Sequence, residues 1–269
     1  MRPQDNIKRE LNLTPFQALF KKEIMRFWKV VGQTVFTPLV NASLYLLIFG
    51  VSLGKSITLS SGISYLAFLI PGLVTMATLN NAFQNTSSSI LGSKFHGDII
   101  DLKVVPLTLN QIVSAFSLGA IVRGLTVGAI TFMVSEVFYF ATMGEFLSIA
   151  HPFQLLFYLT VGGVTFGLLG VIVGFWARNF EQVNAIGGFV LLPLIYLGGV
   201  FYSLENLHPF WQKISQMNPL LYFVNGVRYS ILNHSDVPAE KAMMISLISV
   251  VVLYFLARRS IQKGSFQKW

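Results

Sequence analysis

Residues 30–54 read VVGQTVFTPLVNASLYLLIFGVSLG, 25 positions with no charged side chain, and residues 56–93 continue for 38 more with only Lys55 between them. A hydrocarbon core ~30 Å thick is crossed by about 20 apolar residues in an α-helix, so each run is long enough to span a bilayer. The rest of the chain has the same character. Of 269 residues, 54% are hydrophobic and 11% charged, against roughly 25% charged in an ordinary soluble domain. The first apolar run starts near Val30 and is too long for the core of a signal peptide, so it is expected to remain as the first span.

Six spans are expected in an all-α integral membrane domain that occupies the whole chain: Thr34 to Gly54, Tyr65 to Gln84, Gln111 to Ser135, Phe153 to Ala177, Val183 to Tyr202 and Ala239 to Ala257. Residues 1–33 form a cytoplasmic tail with an amphipathic helix, and residues 258–269 form a basic tail. The last span is the weakest. Its uncharged stretch runs from Ala242 to Ala257, with Lys241 and Arg258 able to snorkel at either end.

Lys and Arg set the orientation. Arg2, Lys8, Arg9, Lys21, Lys22, Arg26 and Lys29 precede the first span, Lys94, Lys103 and Arg178 fall in links on the same side, and Arg258, Arg259, Lys263 and Lys268 close the chain. Lys55, Lys213, Arg228 and Lys241 fall on the opposite side. Both termini are therefore expected in the cytoplasm. The net charge of +8 is accounted for by topology, and no nucleic-acid partner is implied.

Before the first span, Thr14-Pro15-Phe16-Gln17 has the form of a capping box with proline at the first helical position. Leu13, Phe16, Phe20, Ile24, Phe27 and Val31 then share one helical face, with Lys22, Arg26 and Lys29 opposite. This predicts an interfacial helix on the cytoplasmic leaflet, serving either as a mechanical element or as a plain anchor. In the link after the second span, Asp98 is placed to cap a short helix ending near Val105, with Asp98, Asp101 and Lys103 displayed beside apolar residues. That composition suits a docking surface or a solvated connector.

The segment from Ser203 to Pro238 is external by topology yet rich in apolar residues. Two short helices split by Asn218-Pro219 explain it, Pro209 to Met217 and Leu220 to Leu232, dipping into the outer leaflet and burying Phe210 and Trp211. Gly163, Gly167, Gly170 and Gly174 recur at the spacing that lets membrane helices approach closely and are read as packing. Pro193 either kinks the fifth span or is tolerated there.

Several chemistries have no signature here. There is no GxxxxGK[ST] phosphate loop, no HExxH and no GxSxG. There is no cysteine, and the four histidines fall in links, so no metal site is assigned. A gradient-driven carrier needs ionisable groups along its path, yet only Arg123 and Glu136 fall in or near a span. Arg123 lies about 18 Å along the helix from Gln111, near mid-bilayer, where an arginine costs roughly 2.5–3.5 kcal/mol by insertion scales. It must face the protein interior or a wet cavity. There it either bonds carbonyls or side chains such as Asn41, Asn80 or Asn184, or awaits an anionic group of the cargo.

The run from Leu197 to Trp211 (LGGVFYSLENLHPFW), followed by Met217 to Tyr222 (MNPLLY) and Gly226 to Tyr229 (GVRY), resembles the C-terminal motif of ABC-2 type permeases. The branch it is similar to exports polysaccharides, nodulation factors and daunorubicin-type drugs, and includes the YadH-like permeases. The resemblance implies a type V exporter-like fold with re-entrant external helices before the last span, in the bacterial cytoplasmic (inner) membrane. It also implies a homodimer bound to two copies of a separate ATPase that holds Mg-ATP, with no cofactor on this chain and membrane lipid around it. Carried over, Lys22, Arg26, Lys29, Lys94, Phe95, His96, Asp98 and Asp101 become coupling candidates. Tyr45, Phe49, Phe83, Phe189 and Tyr196 become candidates for the substrate pathway, and Glu205, Pro209, Phe210, Trp211, Asn218 and Pro219 for an external gate. An importer's EAA-type loop is absent, which favours export of a lipid, glycan-linked or drug-like amphipathic substrate. A scaffold without transport and a gradient-driven carrier are the competing readings.

Overall fold

The computed structural model describes residues 13–52 and 62–264. The expected end of the first span at Gly54, and Arg2, Lys8, Arg9, Lys55 and Lys268 of the charge count, lie outside the described residues. Among the described residues all regular structure is helical. The order is α1 (Leu13–Lys29), α2 (Val31–Tyr45) with a π-helical continuation Leu46–Ser52, α3 (Tyr65–His96), a 3₁₀ turn Asp98–Ile100, α4 (Asp101–Val104), α5 (Leu109–Met143) and α6 (Pro152–Trp176). There follow α7 (Phe180–Ile186), a π-helical turn Gly187–Leu191, α8 (Leu192–Tyr196), a 3₁₀ turn Leu204–Asn206, α9 (Pro209–Met217), α10 (Pro219–Leu232) and α11 (Ala239–Lys263).

Five of these helices are long and apolar enough to cross a membrane: Val31–Ser52, α3, α5, α6 and α11. The expected fifth span is shorter than predicted. The helix Phe180–Tyr196 rises only about 25 Å at 1.5 Å per residue, because Gly198 and Gly199 follow and Gly199 turns the chain at φ +74°. Within it Pro193 sits just after the π-helical turn. Proline has no N–H for the carbonyl four residues back and clashes with it, and a widened turn relieves both.

Three helices, α3, α5 and α11, outrun the spans expected for them. The polar run Gln84 to Ser89 stays helical in α3 because its three serine hydroxyls find acceptors without breaking the helix. Ser87 Oγ donates to Phe83 O at 2.8 Å, Ser88 Oγ donates to Gln84 O, and Ser89 Oγ donates to Glu23 across the interface with α1. Helix α5 starts at a capping box in which Thr108 and Gln111 exchange side chain-to-backbone bonds, and it runs on to Met143. Asp98 is not the cap expected of it. Gly97, at φ 89°, ends α3, and neither short turn that follows has a side-chain cap.

Helix α3 is the centre of the molecule: 83% of its most apolar window is buried, against 11% for α11 at the periphery. It packs chiefly against α5, α6 and α10. Lipid tails are as apolar as leucine, so helices in a membrane associate through close fit rather than water exclusion. The fit is made by glycine. A Cβ at Gly170 would lie 2.6 Å from Phe83 O, one at Gly167 2.7 Å from Ala120 Cβ, and one at Gly174 2.9 Å from Ile90 Cβ. Gly163 is looser, and its neighbour Gly162 makes the tight contact with Leu79 instead.

Candidate functional site

A cavity of ≈ 560 Å³ lies between α1, α2, α3, α5 and α7. Its wall on the α3 side is a stripe, Asn80, Asn81, Gln84 and Ser88, at helical spacing along the one face of that helix left partly uncovered. Asn41 of α2, Asn184 of α7, Arg123 and Thr131 of α5 and Arg26 of α1 add to the polar lining, with Gln33, Thr34 and Thr37 of α2 and Ser87 of α3. The cavity extends about 22 Å along α3 from Ser88 to Leu73 at the helical rise. Polar side chains within a membrane helix face protein or water, and this stripe faces the cavity.

At the Ser88 end α1 is held against α3 and α5 by a buried polar cluster. Glu23 is 1% exposed and accepts from Ser89 Oγ at 2.6 Å. Arg26 Nη2 lies 3.6 Å from the Glu23 carboxylate and donates to Asn85 Oδ1 at 2.8 Å and to Asn85 O, while Nη1 donates to Ser88 Oγ at 3.2 Å. Arg26 thus points inward rather than lying opposite the apolar face as its helical position suggested. Lys22 and Lys29 are exposed. Burial pushes the Glu23 carboxyl pKa above its ordinary value, with Arg26, Ser89 and Lys22 pulling it down by smaller amounts.

The other end is aromatic. Tyr45, which lines the cavity, Phe49 and Tyr196 gather around Phe201 with ring centroids 5.4, 5.5 and 5.7 Å from it. Three of the five pathway candidates therefore meet. Phe83 is buried in the core and Phe189 is 85% exposed on the outer face of its helix, so neither borders the cavity. Phe201, at the hub of the cluster, was not singled out from sequence. Its position inside the quoted motif was the available signal.

The motif itself folds into a buried knot. Arg228 is fully buried, donates to Gly199 O at 2.7 Å, lies 3.8 Å from Asp236 Oδ2 and stacks its guanidinium 3.7 Å from the Phe68 ring centroid. Asp236 accepts from Ser203 Oγ and Leu204 N, both at 2.8 Å. Asn218 Nδ2 donates to Leu194 O at 2.6 Å, and Tyr65 donates to Phe201 O at 2.8 Å. Arg228, counted among the outward charges, is an internal brace. Of the gate candidates, Asn218 belongs to this knot and, with Pro219 beside it, starts α10. Phe210 and Trp211 are not buried: they are 60% and 47% exposed on α9, whose contact with the rest of the chain is slight. Glu205 and Pro209 are also exposed.

Lys94 is a second correction. Its ammonium is buried and donates to Phe175 O and Ala177 O at 2.7 and 2.9 Å, capping the C-terminus of α6. Phe95, His96, Asp98 and Asp101 are exposed, with Ile100 and Val104, on a knob anchored by the buried Ile99. Arg123 faces the cavity with Asn41, Asn80 and Asn184 as expected, but bonds none of them. Its Nε is buried without a partner, and among the described residues Arg123 makes no ion pair. Glu136 instead accepts from Leu147 N at 3.1 Å. No group of three or more potential metal ligands occurs among the described residues.

Long apolar helices around an interior polar cavity are the architecture of a membrane permease. The chain belongs to the ABC-2 type transporter family, whose model matches residues 14–232. It is 36% identical over 248 residues to the inner membrane transport permease YadH of Escherichia coli K12, covering 92% of this chain and 94% of that protein. It is also similar to nodulation protein J of Neorhizobium galegae, 23% identical over 239 residues covering 88% of each, and to that of Rhizobium meliloti at 22% over 243 residues, covering 89% of this chain and 90% of that protein.

Proposed function

We propose that this chain is the non-catalytic membrane subunit of an ABC exporter in the inner membrane, acting as a homodimer with two copies of a separate ATPase that binds Mg-ATP. Both termini face the cytoplasm, and the helix Phe180–Tyr196 completes six membrane passes. The cavity beside the α3 stripe carries a lipid, glycan-linked or drug-like amphipath toward the aromatic cluster at Phe201. The observation that carries this reading is the stripe itself: four polar residues on the uncovered face of an otherwise buried apolar helix. The likeness to the inner membrane transport permease YadH supports transport over a scaffold.

The knob of Phe95, Asp98, Ile100, Asp101 and Val104 is the docking surface for the ATPase, and α1 carries its motion inward through Glu23 and Arg26. Apolar flanks exposed on α2 and on Phe180–Tyr196, including Phe36, Leu44, Phe189 and Leu192, meet the second copy and lipid. The test is co-purification of the chain with candidate ATPases, followed by reconstitution into vesicles. The expected result is a complex of two chains and two ATPases with transport that requires ATP. Transport that survives ATP depletion but stops when the proton gradient is collapsed would replace this reading with a carrier, and a stable complex without transport would replace it with a scaffold.

A further inference from the structure

We propose that Arg123 is the receptor for a phosphate group on the cargo, so that the cavity selects anionic amphipaths. This rests on the reading of the cavity as a cargo path and narrows the substrate class within it. Four elements share the cavity with α5, and the charges on all five can be followed one by one. Helix α1 contributes Arg26, whose charge is met by Glu23. Helices α2, α3 and α7 contribute asparagine, glutamine, threonine and serine but no charged residue to the lining. Along α5 itself the carboxylate of Glu136 is bound to Leu147 N. Among the described residues, therefore, no carboxylate pairs with Arg123 and none stands on the cavity wall.

Side-chain amides line the same cavity from three separate helices, Asn41, Asn80 and Asn184. Asn80 Oδ1 accepts from Gln84 Nε2 at 3.2 Å, which turns the Asn80 amide nitrogen to other acceptors. A planar guanidinium fork with amide N–H donors around it fits the oxygens of a phosphate monoester or diester. A neutral glycan calls for donors and acceptors in balance, with no fixed cation.

The test needs neither ATPase nor transport. The purified chain, in a neutral detergent, is titrated with dihexanoyl phosphatidic acid, dihexanoyl phosphatidylcholine and inorganic phosphate, and affinity is read by microscale thermophoresis. Wild type is expected to prefer phosphatidic acid over the zwitterionic lipid of equal chains by about tenfold, as befits one charge-assisted contact. Arg123→Gln should abolish that preference while retaining the elution profile of wild type, and Arg123→Lys should keep part of it. If the Gln variant does not assemble, Asn80→Leu with Asn184→Leu carries the test and should weaken phosphatidic acid alone. Competition by inorganic phosphate at comparable concentration assigns the site to free phosphate, and its failure to compete assigns it to a lipid-borne one. A wild type without preference, or an assembled Arg123→Gln that keeps it, overturns the proposal. Because binding is measured on the isolated chain, failure here leaves the path itself to be judged by transport and accessibility.

Discussion

Ser89 donates to Glu23 at 2.6 Å across the seam between the N-terminal helix α1 and the central helix α3. That bond, with the packing of α1 on α5, ties α1 to the body of the molecule. It also makes the seam sensitive to pH. Burial holds the Glu23 pKa above its ordinary value, so between those two values the unfolded chain loses its proton first. The contribution of Glu23 to stability is therefore largest below that window and falls as pH rises through it. Thermal melts between pH 5 and 7.5 should show wild type gaining stability on acidification relative to Glu23→Gln, whose amide still accepts from Ser89. A difference that stays constant across the range would contradict this account.

Lys94 ties together the C-terminal ends of α3 and α6 through two carbonyls. Lys94→Met should cost about 1.5–3 kcal/mol, the usual range for hydrogen bonds to a charged group, and Lys94→Arg less. The loss should appear in the melting temperature, with the affinity for the ATPase unchanged in protein that remains folded.

Asp98 and Asp101 stand free on the knob, so reversing them is predicted to act on the partner and not on the fold. Asp98→Lys with Asp101→Lys should leave the melting temperature within about 0.5 kcal/mol equivalent, as for exposed positions generally. It should weaken co-purification of the ATPase and uncouple hydrolysis from transport. Normal binding and transport in that variant would remove the knob from the coupling surface.

The layout of the long helices was legible from two charge-free runs and their flanking charges, because length and hydropathy alone decide whether a segment can cross a bilayer. The split of the external segment at Asn218-Pro219 was legible for a local reason, since an Asn N-cap followed by Pro starts a helix. What escaped were positions whose meaning is set by a neighbour far along the chain. Lys94 read as a charge of a link, and Arg228 as an outward charge on a re-entrant helix, until Ala177 and Asp236 are brought against them. Phe210 and Trp211 read as buried because they are large and apolar, yet α9 presents them outward. The fifth span was drawn too long because the Gly198-Gly199 turn was read as helix, and the capping box at Thr108 and Gln111 was overlooked.

Arg228 and Asp236 pair across an interior site, with Nη1 and Oδ2 3.8 Å apart. Replacing Arg228 by Met strands the Asp236 carboxylate and should destabilise the external knot by about 3–5 kcal/mol, the range found when one member of a buried pair is removed. Asp236→Asn should cost less, since its amide oxygen still accepts from Ser203 or Leu204. Melting temperatures of the two single variants and the double variant test this: the double should lose less than the sum of the singles.

The claim that the α3 stripe borders the transport path is tested most directly by thiol accessibility. The chain has no cysteine, so Asn80→Cys introduces a unique thiol on the cavity wall and Phe83→Cys a buried control on the same helix. In vesicles containing the chain and its ATPase, a charged, membrane-impermeant methanethiosulfonate reagent should modify Asn80→Cys from the cytoplasmic side in the resting state. Trapping the ATPase with nucleotide should change that rate, and Phe83→Cys should stay unreactive throughout. An Asn80→Cys that reacts no faster than Phe83→Cys in every nucleotide state would contradict the account.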